Sequence, residues 1–229
     1  MAATLVPTVR TTYTLEQMIE GFIRAWYRQF KVIPKKESVG VIWAQSAIET
    51  GTTTAMWNNN IGNIKFYASS NPDNDNGIEY MMLKNVWEII NGQKVIFQPP
   101  HKETWFRSFK TLEEGIAFHL NFLKNKRYKS CWSAVEAGSP AQFASLLKKL
   151  GYYSAPEADY VKAMSWHFDK FMKDPTFEKV LNSIEPNVFI ALDGEVSITG
   201  DLSLVEGHSR AIETTMDLFD DTFKQEDNN

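Results

Sequence analysis

The sequence predicts an α+β fold dominated by helices, with a small β-hairpin lobe and a C-terminal extension. Three observations predict it. Capping signals precede apolar runs of helical period, one segment is apolar around its whole circumference, and an Asn-Gly pair separates two strand-like runs.

Thr14-Leu15-Glu16-Gln17 reads as a capping box. Behind it, Leu15, Met18, Ile19, Phe22 and Trp26 share one face, so a first helix is expected to about Phe30, before Pro34 interrupts. Ser38 is expected to cap a second helix. Its Val39, Val41, Ile42, Trp43, Ala44, Ala47 and Ile48 leave no polar face, which marks a buried central helix. Gly51 suits its C-terminal stop. Residues 58–77 are polar and turn-rich, with few places for long elements. Strand-like runs within 79–97 flank Asn91-Gly92 and predict a hairpin. Thr111-Leu112-Glu113-Glu114, a second capping box, opens a helix to about 125, and Ser139-Pro140-Ala141-Gln142, a third with proline at the first helical position, opens another that stops at Gly151. Tyr160, Val161, Met164, Phe168 and Phe171 give 157–172 the same periodicity. About five helices and one hairpin make a domain over 1–182. The extension, 183–229, suggests a second hairpin within 188–199 and an acidic amphipathic helix within 209–223.

Composition bounds the function. An apolar fraction of 43% with 15 Phe, 8 Tyr and 7 Trp describes a folded globular chain. The one cysteine, Cys131, reads as a small buried apolar residue, since it has no internal partner. No apolar run reaches the ~20 residues of a membrane-spanning helix, and no basic stretch leads an apolar one at the N-terminus. The expectation is a protein made in the cytoplasm without a signal peptide. The extension holds 11 Asp/Glu against 2 Lys/Arg, so the body carries the positive balance of a chain whose net charge is −4. A mildly basic body suits an anionic polymer. No nucleic-acid module or glycine-rich phosphate loop is present, which argues against a nucleic-acid partner and a nucleotide cofactor. The histidines (101, 119, 167 and 208) lack paired spacing, and no metal site is expected.

Glu49 stands at the last turn of the most buried helix. Apolar neighbours and the negative end of the helix dipole both raise a carboxyl pKa. A carboxyl still protonated near neutral pH can protonate a glycosidic oxygen.

The stretch from Ala44-Gln45-Ser46-Ala47-Ile48-Glu49-Thr50-Gly51 to Trp57-Asn58-Asn59-Asn60-Ile61-Gly62-Asn63-Ile64-Lys65 resembles the signature of the peptidoglycan β-N-acetylglucosaminidases of glycoside hydrolase family 73. This family includes flagellar and autolysin enzymes and reads approximately A-Q-x-A-x-E-[ST]-G, then N-N-x-F-G-I-K. The present chain has one extra residue in the second part. Further pieces follow in order: Glu88-Ile89-Ile90-Asn91-Gly92-Gln93-Lys94, Phe106-Arg107-Ser108-Phe109, Arg127-Tyr128, and Gly151-Tyr152-Tyr153-Ser154 with Asp159-Tyr160. The resemblance spans roughly 14–172.

It implies a lysozyme-like helical domain, Glu49 as catalytic acid, and Glu88 as a second carboxylate on the hairpin, with Glu79 and Glu103 as fallbacks. It implies Tyr160 and Tyr152 as substrate-positioning tyrosines. Asn60 and Lys65 are placed beside Glu49 to shape the loop and bind N-acetyl or hydroxyl oxygens, with Asn59 a weaker candidate. Trp57 either stacks on a sugar or covers the core. The implied partner is cell-wall peptidoglycan, cut by an endo-β-N-acetylglucosaminidase. N-acetylmuramidase and lytic transglycosylase are the alternatives in chemistry, and a non-catalytic wall-binding or virion structural protein is the alternative in class. Release by a phage or carriage in a virion, with self-association or docking through 183–229, completes the expectation.

Overall fold

Periodicity and caps place the helices that carry the site. The computed structural model describes residues 3–90 and 93–184. Helix α1 (Leu15–Phe30) opens on a complete Thr14/Gln17 capping box and buries Met18, Ile19, Phe22, Ile23 and Trp26. Helix α2 (Lys36–Thr50) buries every residue from Ser38 to Thr50, as expected of a helix without a polar face. It ends on Gly51 in the left-handed region (φ 54°), whose N–H donates to Ala47 O. Its start differs from the expectation. Lys35 is the N-cap, without a side-chain bond, and Ser38 lies inside the helix, buried.

Helix α3 (Leu112–Lys124) is capped by Thr111 Oγ1, which accepts from Glu114 N; Glu114 in turn accepts from Lys110 N. A 3-10 turn (Lys126–Cys131) leads into α4 (Trp132–Glu136). Helix α5 (Pro140–Lys149) has proline at its first turn, but Ser139 makes no capping bond, so the third expected box is absent. Helix α6 (Glu157–Lys173) packs along α2, and α7 (Thr176–Ser183) packs on α1. Seven helices are thus present among the described residues, with α4 and α7 additional to the expected five.

The β part is larger than one hairpin. Strands β3 (Val86–Ile90) and β4 (Gln93–Phe97) pair antiparallel with Glu88 opposite Val95, as expected; their turn, Asn91-Gly92, lies outside the described residues. A second sheet joins β1 (Thr4–Leu5), β2 (Glu79–Met82) and β5 (Trp105–Arg107) in the order β1-β2-β5, with β1 parallel and β5 antiparallel to β2. The helices share one large core. The β lobe has its own small one, Met81, Val86 and Phe106, with Trp57 and Leu83 against it. Cys131 is buried in the helical core, and burial pushes its thiol up to about 12. The architecture is α+β, mainly α. Among the described residues no helix is long and apolar enough to cross a membrane. The expected hairpin within 188–199 and helix within 209–223 lie outside the described residues.

Candidate active site

Helix α2 delivers Glu49 to the junction of the helical core and the loop 58–65. Its carboxyl is wholly buried, and no cation among the described residues lies within ion-pair distance. Tyr160 Oη, from the first turns of α6, donates to Glu49 Oε1 at 3.3 Å. Oε2 has no partner among the described residues. Desolvation raises the Glu49 pKa well above its ordinary value, and the Tyr160 hydrogen bond opposes it. The C-terminal end of α2 adds to the rise, because its partial charge is negative.

The wall behind Glu49 is aromatic. Tyr160 stacks on Tyr153 with ring centroids 3.8 Å apart. Tyr152 is wholly buried against Tyr128 and Phe122, and its hydroxyl donates to Gly62 O at 3.2 Å. Burial raises the Tyr152 and Tyr160 hydroxyls well above the usual phenol range, and the Glu49 carboxyl adds to both shifts. Both tyrosines therefore belong to the Glu49 pocket, Tyr160 by direct contact and Tyr152 through the loop.

That loop is pressed onto α3. At Gly115 a Cβ would stand 1.9 Å from Asn59 O, and at Gly62 it would stand 2.4 Å from the His119 ring, so neither site has room for a side chain. His119 Nε2 lies 3.0 Å from Gln45 Oε1, one turn before Glu49 on α2, and burial lowers the imidazole pKa to about 3. A neutral histidine thus ties α3 to the helix that carries the acid. Asn60 also works for the loop. Its amide nitrogen donates to Ile64 O and Arg107 O, and its oxygen accepts from Ile64 N. Asn59 bonds Tyr13 Oη and Phe109 O, and Asn63 donates to Glu49 O. These amides hold the backbone beside the acid.

Lys65 is placed by β pairing. Phe66 N donates to Trp105 O and Arg107 N to Ile64 O, which pins the intervening lysine along β5. Its ammonium is buried and ion-paired to Glu88 and, at 2.6 Å, to Glu103. Glu88 itself is 5% exposed on β3. One cation therefore gathers the second carboxylate implied by resemblance and one of its two fallbacks. The other fallback, Glu79, lies apart, with Lys110 at 3.7 Å. Trp57 joins the small β core and carries the Arg10 guanidinium over its ring at 4.9 Å.

Sequence reasoning missed Gln45 and His119. The spacing of Gln45 to Glu49, four residues, puts them on one helical face and is a usable signal. Nothing local marks His119 as their neighbour. Among the described residues no group of three His, Cys, Asp or Glu side chains could hold a metal ion.

Residues 35–184 match the family model described as Glucosaminidase, mannosyl-glycoprotein endo-beta-N-acetylglucosaminidase, which is well over half of the chain. Among solved structures, a C-terminally truncated glycoside hydrolase domain of FlgJ from Salmonella typhimurium is similar. It is 17% identical, with a TM-score of 0.42, over 69% of this chain and 98% of that one. No curated protein matches.

Proposed function

The chain belongs to the glucosaminidase family, and on that premise we propose that Glu49 is the general acid of a peptidoglycan endo-β-N-acetylglucosaminidase. One observation carries the assignment. Glu49 is buried at the end of α2; among the described residues no cation pairs with it, its first oxygen accepts from Tyr160 and its second has no partner. A carboxyl accepting at Oε1 carries its proton on Oε2, and that oxygen is left to meet the glycosidic oxygen. Protonating the leaving oxygen relieves the charge that builds as the C–O bond breaks and the ring becomes oxocarbenium-like.

Glu88 is the second carboxylate of the proposal. It either activates a water or steadies the positive ring, the latter if the substrate's acetamido oxygen is the nucleophile. Lys65, itself paired to Glu103, holds it in place. Because Glu49 is sealed, the glycan reaches it by displacing part of its surroundings. The β3–β4 hairpin that carries Glu88 is a two-stranded ribbon, weak alone, with Ile90 and Ile96 exposed on it. Val86 and the Lys65 ion pair are its anchors.

The test is a peptidoglycan digest, with released fragments reduced by borohydride and identified by mass. Wild type is expected to leave reduced N-acetylglucosamine ends and Glu49→Gln none. Reduced N-acetylmuramic ends identify a muramidase and 1,6-anhydro ends a lyase. No release from several wall chemistries by folded wild type sinks the catalytic reading.

A further inference from the structure

A second cleft, of about 340 Å³, opens between the β1-β2-β5 sheet and α3. Its volume falls in the range of small-ligand sites. Arg107 lines it from β5, and Phe118, Asn121 and Glu114 line it from α3. The guanidinium is the unusual feature. Arg107 is 7% exposed, its Cζ lies 4.5 Å over the Phe118 ring, and its Nε is buried with no acceptor among the described residues. No carboxylate among the described residues comes within 4.0 Å of it. Burial lowers its pKa to about 10, the Asp75 charge opposing the shift, so the side chain is still a cation at neutral pH.

Asp75 acts on it only from beyond ion-pair contact, and a buried cation with no carboxylate in contact is costly, so proteins neutralise such groups or use them to bind. The backbone explains why this one stays in place: Arg107 N donates to Ile64 O and its carbonyl accepts from Asn60, so β5 fixes the side chain toward the cleft. The rim carries both signs. Lys110 and Glu79 face each other at 3.7 Å, and Glu114 accepts from Lys110 N. A purely anionic polymer would meet two carboxylates there. A ligand with a free carboxylate and a free ammonium meets a partner for each. The guanidinium takes the carboxylate in a two-pronged bond, and Glu79 and Glu114 take the ammonium.

We propose that the Arg107 cleft is a subsite for the peptide stems of the wall, reading a carboxylate and an ammonium group on a short peptide attached to the glycan. The inference rests on the peptidoglycan reading of the Glu49 site. That site faces the loop 58–65 on one side, and Arg107 holds the same loop through Asn60 and Ile64 on the other. Glycan and stem would thus be read from the two faces of one loop.

Two measurements test it on the full chain. In the first, protein labelled with nitrogen-15 at arginine is titrated with the tripeptide L-Ala-γ-D-Glu-L-Lys, and separately with acetate. The expected result is a shift of one Nε–H signal, lost in Arg107→Lys, with acetate binding at least about tenfold more weakly. In the second, kcat/KM is compared on intact wall and on glycan stripped of its peptides. Wild type is expected to prefer intact wall about tenfold. Arg107→Lys and Asn121→Asp, the latter on the half-buried face of α3 and so tolerant of change, are expected to erase that preference through KM while keeping the rate on stripped glycan. A tripeptide that moves no arginine signal, acetate binding as tightly as the tripeptide, or a preference kept by both variants overturns the proposal. If neither glycan is cut while the tripeptide binds at Arg107, the glycosidase reading falls and the peptide site stands.

Discussion

Two buried carboxyls, one at the end of α2 and one on the β3–β4 hairpin, are handled in opposite ways. Glu49 is enclosed by aromatic rings with a single phenol to bond it, and burial favours its neutral form. Glu88 is enclosed by a lysine and a neighbouring glutamate, and burial there is tolerated because an ion pair comes with it. The helical core supplies rigid desolvation. The β lobe supplies a charge partner, the Lys65 ammonium. The difference suits the two proposed roles, a proton donor and a charge stabiliser.

Removing the acid should have the largest effect on turnover. Glu49→Gln keeps the shape and loses the proton, and a fall of about 10³-fold or more is expected in released reducing ends. The same variant sharpens the contrast through stability. The folded pKa of Glu49 lies above its unfolded value near 4.5, so the folded state holds the proton more tightly. The stabilising contribution of that proton is complete below about pH 4.5 and is lost as pH rises through the raised value. Glu49→Gln should therefore melt with wild type at about pH 4 and above it at about pH 8. Equal melting at both would mean that the pocket does not favour the neutral acid.

The β lobe should respond in the opposite sense. Lys65→Met leaves the buried Glu88 carboxylate unpaired beside the part-exposed Glu103, and a loss of about 3–5 kcal/mol is expected in denaturant unfolding. The Lys65→Met, Glu88→Gln pair should recover part of that loss, since the uncompensated charge is then removed. A double variant no more stable than the single would break the ion-pair account. Glu88→Gln alone is expected to lower activity about 10- to 100-fold, a smaller effect than at Glu49. A larger loss at Glu88 than at Glu49 would reverse the assignment of donor and stabiliser.

How much of this was legible in sequence follows from the range of the interactions. The helix carrying Glu49 was readable because its pattern is local, and so were the Thr14 and Thr111 caps. Ser38 and Ser139 look like caps in sequence, yet α2 starts two residues before Ser38, and Ser139 makes no capping bond. Residues 79–82 fall in the segment read as strand-like, but their place in a β1-β2-β5 sheet was not legible, because its strands are two to four residues long and pair across the chain. Lys65 was expected to bind sugar oxygens, as the resemblance implies. The structure occupies its ammonium with Glu88 and Glu103, 23 and 38 residues away, which no window of sequence can reveal. Asn60, read as a loop-shaper or a ligand group, has its amide engaged by the backbone.

The subtlest difference between the two regions is tested at Tyr160. Its hydroxyl is the only hydrogen-bond donor to the Glu49 carboxyl among the described residues, and that bond lowers the acid's pKa against the larger desolvation effect. Tyr160→Phe keeps the ring that stacks on Tyr153 and removes only the donor. The acid's pKa should then rise further, so the alkaline limb of the kcat profile, where Glu49 loses its proton, moves to higher pH. Plateau kcat should fall only a few-fold, in line with about 1 kcal/mol for one hydrogen bond. A purely structural tyrosine would lower kcat at every pH and leave the limb where it was. Repeating the profile with Glu88→Gln completes the contrast, because Tyr160 touches Glu49 and not the Lys65 group, and the limb shift on removing its hydroxyl should survive that change.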